Sequence, residues 1–181
     1  MKRPFWLAFL ATFAITAAVV TAGAIVVGRT VVPPPLERFA TSAFTFSLPH
    51  GWTCRREGTE FVCRIGSPPS DAIVILTMKY RNAQDTLTFY EDHLHDPLPR
   101  VDGQGVAQLN SLTRRHIGGI EWVEGRVEGS EVSGWETIYL AGNTAEIGML
   151  ITFSVHPRAR ETRLPDLETM ATTLVVNQKA F

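Results

Sequence analysis

The side chains able to do chemistry in this 181-residue chain fall into a few small groups, and spacing limits what each can do. Cys54 and Cys63 are the two cysteines. They flank Arg55-Arg56-Glu57-Gly58-Thr59-Glu60-Phe61-Val62, where Gly58-Thr59 suits a two-residue hairpin loop with glycine first, as a type II′ turn requires. That register sets Glu57 against Glu60 and Cys54 against Cys63. Counted outward from the turn, the cysteines fall at a non-hydrogen-bonded pair, where Cα atoms approach to about 4.5 Å, the near edge of what a disulfide tolerates. The same register gathers Trp52, Cys54, Phe61, Cys63 and Ile65 on one face, and Thr53, Arg55, Val62 and Arg64 on the other. A cross-strand disulfide is expected in an oxidising compartment. Redox catalysis would need an exposed, low-pKa thiol, usually in a C-x-x-C setting, and the spacing here is C-x8-C.

The densest run of metal-ligating types is Glu91-Asp92-His93-Leu94-His95-Asp96. On a helix His93 and His95 point about 200° apart and cannot share a site, whereas Asp92 with His95, or His93 with Asp96, could share a surface ion. A solvated helix end, with histidines favoured by the dipole, is the plainer reading. His116 falls opposite Glu121 in a hairpin turning at Gly118-Gly119, a pairing that could tune a base but that more often is a surface contact. No third orienting group accompanies it. Glu121, Glu124, Glu128 and Glu131 make this region acidic, to face a basic partner, to hold calcium weakly or, the plainer reading, to guard an edge strand. Arg115 falls opposite Trp122, so Arg115, Trp122, Glu121, Glu124 and Glu128 form a candidate docking patch if that face meets solvent. Core packing of Trp122 beneath the Arg115 stem is the competing reading. The chain has no G-x-S-x-G, P-loop, G-x-G-x-x-G or H-E-x-x-H, so no catalytic residue, metal site or cofactor is assigned.

The elements that must position these groups read as follows. Phe44–Leu48 alternates as a strand and ends at Pro49-His50-Gly51. The cysteine hairpin follows, and then Ala72–Met78, apolar enough for a strand covered on both faces. Asp85 can cap a helix over Thr86–His95, with Leu87, Tyr90 and Leu94 on one side and Asp96-Pro97 at its end. A long loop runs to Asn110. Leu112–Ile117 pairs with Ile120–Val127, and Trp135–Leu140 pairs with Ala145–His156 through a turn at Gly142-Asn143. A last helix begins near Pro165 and carries Leu167, Met170, Ala171 and Leu174 at helical spacing. Hairpins with two segregated helices describe an α+β domain on an antiparallel sheet.

Ahead of the domain, residues 5–27 carry no charge, and as a helix they would be about 35 Å long, enough to cross a bilayer core. Lys2 and Arg3 precede the run and Arg29 follows, which orients the N-terminus to the cytoplasm. An uncleaved anchor over residues 1–29 is the expected reading, and Ala22-Gly23-Ala24 offers a signal-peptide cleavage site as the alternative. Residues 30–40 read as a stiff linker around Pro33-Pro34-Pro35, residues 41–176 as the domain, and 177–181 as a tail. Three of the 17 basic residues and none of the 18 acidic ones lie in the first 36 positions, so the exported part is mildly acidic. Whole-chain net charge is −1, which argues against a nucleic-acid partner, and four Trp with ten Phe argue against disorder.

Phe46-Ser47-Leu48-Pro49-His50-Gly51-Trp52, the apolar Ala72–Lys79 strand, and Leu150-Ile151-Thr152-Phe153-Ser154 followed by a Met-containing helix resemble the PsbP-like superfamily over about residues 39–176. That group includes the photosystem II extrinsic subunit PsbP, the Ran-binding Mog proteins and many exported bacterial proteins. The resemblance implies an α/β/α sandwich and an accessory or assembly role that binds larger partners, with no shared enzymatic chemistry. No functional residue carries over position by position. The expected protein is therefore a single-pass bacterial inner-membrane protein with a periplasmic domain, held to the membrane through residues 5–27. It would bind other membrane-complex proteins without catalysis. A small-ligand or enzymatic role in a sheet–helix cleft, around His50 and Trp52, is the alternative.

Overall fold

The computed structural model describes residues 36–178. The expected anchor and most of the expected linker precede them, and the last three tail residues follow, all outside the described residues. Among the described residues no helix is long and apolar enough to cross a membrane.

Strands β1 (Glu37–Ala40) and β2 (Phe44–Leu48) open the domain, and with β10 (Val175–Val176) they form a small antiparallel sheet of order β1-β2-β10. Strands β3 (Trp52–Glu57), β4 (Glu60–Ile65), β5 (Ala72–Tyr80), β6 (Gln108–Ile117), β7 (Ile120–Glu128), β8 (Glu136–Asn143) and β9 (Ile147–Val155) form a seven-stranded antiparallel sheet of order β3-β4-β5-β9-β8-β7-β6. Helix α1 (Leu87–His95) follows β5, and α2 (Arg160–Thr172) follows β9 after a 3-10 turn at Pro157–Ala159. Strand β1 falls where the sequence suggested linker: Phe39 pairs with Phe46, and both rings pack 5.4 Å apart.

Alternate residues of the large sheet feed two separate cores, so its two faces are covered differently. Trp122, Ile138, Leu140, Ile151 and Phe153 pack with β2 and with Leu167, Met170 and Ala171 of α2. On the opposite face Val123, Val127 and Tyr139 pack with Leu94 of α1 and with Ala107. Trp52 ties the first face together, donating its indole N–H to Asp166 Oδ2 of α2 at 2.9 Å.

Helix α1 reaches over β6, β7 and β8 and stops short of the other edge. Strand β5 is therefore not covered on both faces, as its composition suggested: Ala72, Val74 and Leu76 are buried, while Ile73 and Ile75 are half-buried. Leu150, in the middle of the central strand β9, is 37% exposed.

Three boundaries differ from the sequence reading, the first two through distant contacts and the third through a local cap. The last hairpin turns at 144–146 rather than at Gly142-Asn143, because Gly142 lies in β8 beneath Trp122; a Cβ there would stand 2.7 Å from the indole Cε3. Helix α2 starts five residues before Pro165. The Arg160–Glu136 pair at 2.6 Å and the Arg163–Asp71 pair at 3.1 Å hold its first turn to the sheet, and the proline then removes one internal hydrogen bond. Thr86, not Asp85, caps α1 by accepting the Phe89 amide at 3.1 Å.

Candidate functional site

The cysteine hairpin has the register its spacing dictates, with Cys54 paired to Cys63 and a disulfide joining them at a Cα–Cα distance of 4.0 Å. Gly58 has φ +64° and Thr59 does not have positive φ, as a type II′ turn requires. Cys63 is fully buried against the first-face core, and the bridge fastens the edge strand β3 to its neighbour β4.

The residues of the expected docking patch do not share a surface. Arg115 is opposite Trp122 in register, but Trp122 is 0% exposed and Glu124 is 5% exposed, both beneath α2. Trp122 donates its indole N–H to the Ile117 carbonyl at 3.2 Å. Arg115 lies across the top and donates to Glu124 Oε2 at 2.6 Å and Glu168 Oε1 at 2.8 Å, while Arg126 donates to the other Glu124 oxygen at 2.8 Å. Burial works against the Glu124 charge, yet the two guanidiniums outweigh it and hold its carboxyl below the usual range. Its carboxylates on either side keep Arg115 firmly protonated. These groups fasten α2 to the sheet. Glu121 and Glu128 are exposed at opposite ends of β7, and His116 Nδ1 meets Glu121 Oε1 at 2.6 Å in solvent. At the end of α1, His93 Nδ1 stands 3.9 Å from Asp96 Oδ2; among the described residues no three His, Cys, Asp or Glu side chains converge as metal ligands.

What the sequence reading missed is a cleft of about 410 Å³ between α1 and the uncovered part of the second sheet face. Such a volume falls in the roughly 300–1,000 Å³ range of small-molecule sites. Ala141 of β8 and Leu150 of β9 make its floor, Leu94 and Leu98 its roof, and Phe89, 47% exposed, stands at its mouth. The cleft is on the opposite side of the sheet from Trp52, which is buried under α2, and His50 is exposed elsewhere; the place the sequence suggested for a ligand is thus filled. His93 is the histidine that reaches the cleft.

Each end of the cleft carries a tyrosine tied to a carboxylate. At one end Asp85 is 2% exposed and accepts from the Asn82 amide at 2.8 Å, from Lys79 Nζ at 2.8 Å and from the Tyr90 hydroxyl. Burial raises its pKa, but these three donors together bring the group below its ordinary value. Burial, joined by the Asp85 charge, pushes Tyr90 up to about 12. Gly148 leaves room for this cluster, since a Cβ there would come within 3.2 Å of the Tyr90 oxygen. At the other end Tyr139 donates to Glu131 Oε1 at 2.7 Å, with Ser130 Oγ 2.9 Å away. Burial first, then Glu131, raises the Tyr139 pKa, so both phenols stay protonated at neutral pH. The walls can hold an apolar body, and the two ends can orient polar groups, while the protons that could move are committed to internal partners.

No protein-family model matches the chain, and no curated protein matches it in sequence. Solved structures match it clearly in fold. Cyanobacterial PsbP (CyanoP) from Synechocystis sp. PCC 6803 aligns over 81% of this chain and 95% of its own length, with a TM-score of 0.55 and 17% identity. LpqN of Mycobacterium tuberculosis, described as involved in cell envelope biogenesis, aligns over 79% and 86%, with a TM-score of 0.54 and 11% identity. A Bacteroides thetaiotaomicron protein aligns over 80% of this chain and 50% of its own, with a TM-score of 0.52 and 15% identity. The chain has a PsbP-like fold, as the resemblance in its sequence implied.

Proposed function

We propose that this protein is an exported, membrane-tethered binding module that serves a bacterial inner-membrane complex as an accessory subunit and works through the cleft beneath α1. The cleft itself carries the reading: about 410 Å³ with Leu94, Leu98, Ala141 and Leu150 as walls and with Lys79–Asp85–Tyr90 and Glu131–Tyr139 at its ends. Both tyrosines donate to carboxylates, and Lys79 is paired with Asp85, an arrangement suited to orienting a ligand rather than to transferring its protons. The Cys54–Cys63 disulfide supports an oxidising compartment. The uncharged run at residues 5–27 supports a tether, which raises the module's effective concentration beside neighbouring membrane proteins. CyanoP and LpqN lend the reading a fold in common and nothing finer.

The test is native mass and composition of the tagged full-length protein in mild detergent, compared with Ala141→Leu. A stoichiometric membrane assembly that the cleft variant loses supports the accessory role. A lone protein of 20.0 kDa in its micelle, for both forms, overturns it.

A further inference from the structure

We infer that the cleft beneath α1 takes the acyl chain of a lipid drawn from the bilayer to which the domain is tethered, an inference that rests on the tether reading above. The cleft is matched to such an occupant in shape and chemistry. It runs along β8 from the Asn143 end, beside Lys79 and Gly148, to Tyr139, four residues away, or about 13 Å at 3.3 Å per residue. Its volume of about 410 Å³ lies in the range of small-ligand sites. Ala141 is a small side chain on the floor, and a leucine there would take up depth that it leaves open.

The mouth is apolar as well. Phe89, 47% exposed, stands at it, and Leu150, 37% exposed, with the half-buried Ile73 and Ile75 carries the apolar floor out toward solvent. Phe89, Leu150, Ile73 and Ile75 together make a part-exposed apolar strip on this face, the kind of surface that an apolar partner covers. The length of chain outside the domain says which partner is at hand. Residues 28–35, between the uncharged run and the first described residue, span at most about 29 Å fully extended. A domain held on so short a segment stays beside the bilayer, and the bilayer is a source of acyl chains.

The test uses the full-length protein in lipid nanodiscs that include a phospholipid carrying a diazirine at the end of one acyl chain. After irradiation, peptide mapping is expected to find lipid adducts in two places: in residues 5–27, and at cleft residues including Phe89, Leu98 and Leu150. Ala141→Leu is expected to lower the cleft adducts about tenfold and leave those in 5–27 unchanged. Phe89→Ala, an exposed position that leaves the fold intact, is expected to lower them too. Adducts confined to 5–27 overturn the acyl-chain assignment while the tether stands. Cleft adducts that neither variant reduces overturn it as well, because the chain would then be lying on the surface. Two copies per disc with no cleft adduct assign the apolar face to a second copy of the chain. Failure of the protein to enter the discs overturns the tether, and with it the bilayer as source.

Discussion

Ala141 and Leu150 stand opposite one another in the β8–β9 register, and the difference between them makes the cleft. Ala141 is buried because α1 passes above it, whereas Leu150, one strand nearer the uncovered side, is 37% exposed. Helix α1 is only nine residues long and spans β6 to β8. A longer helix, or a larger residue at 141, would have closed the space.

Ala141→Leu therefore puts new methyl groups into open volume instead of a packed core. Overpacking a filled core costs about 1–3 kcal/mol, and that cost is absent where the volume already exists. The expected outcome is a urea midpoint unchanged within error, with the stability change inside about 0.5 kcal/mol. Leu94→Ala on the roof, which removes the one buried side chain of α1, is expected to cost about 2–4 kcal/mol in the same measurement.

The Tyr90–Asp85 pair sets an alkaline limb. Tyr90 is held protonated in the folded domain to about pH 12, against about 10 in the unfolded chain. A raised folded pKa means that the stabilisation is complete below pH 10 and is lost as pH rises through 12. Between those values the wild-type melting temperature should fall more steeply than that of Tyr90→Phe. Absorbance titration at the tyrosinate band should show the high-pH component missing in the variant. Equal slopes for the two proteins would show that Tyr90 does not govern this limb.

Period-two patterns were legible wherever a tight turn fixed the register. Gly58-Thr59 placed Cys54 on Cys63, and Gly118-Gly119 placed Arg115 on Trp122 and His116 on Glu121, all as found. What local pattern could not tell was which face each register would bury, because that depends on where a helix some fifty residues later comes to rest. Trp122 meets α2 through that distant packing, and the same indole forces Gly142 into a strand when its dipeptide reads as a turn. The cleft was illegible for the same reason. Its floor comes from β8 and β9 and its roof from α1 and the loop after it, and no spacing rule links Ala141 to Leu94. One local signal did point there: Gly148, a glycine inside an apolar strand, marks a close approach, and the Tyr90 hydroxyl makes it.

The disulfide acts on a hairpin at the sheet edge and closes a short loop, with a sequence separation of nine. Chain-entropy arguments give such a bridge about 2–3 kcal/mol. Reductant should lower the unfolding free energy of the wild type by that amount in urea. Replacing both cysteines by serine should lower it by at least as much, because Cys63 is fully buried, and leave no further effect of reductant. A reductant effect on the variant would place the sensitivity elsewhere.

Glu124 and Glu121 differ by three positions in β7 and should differ sharply in consequence. Glu124 is buried between Arg115 and Arg126, so Glu124→Gln leaves two guanidiniums facing an amide that can satisfy neither charge. With Arg115 still held by Glu168, a loss of about 2–3 kcal/mol is expected, below the full cost of breaking a fully buried pair. Glu121 meets His116 in solvent, and Glu121→Gln should change stability by less than about 0.5 kcal/mol. Glu124 also matters in acid. A carboxyl held below its usual pKa stabilises the fold above that usual value, and the contribution is lost as pH falls through the depressed one. Glu124→Gln should therefore flatten the acid limb of the stability profile, measured by urea midpoints from pH 7 downward. Equal losses from the two variants would mean that α2 is not fastened to the sheet through Glu124.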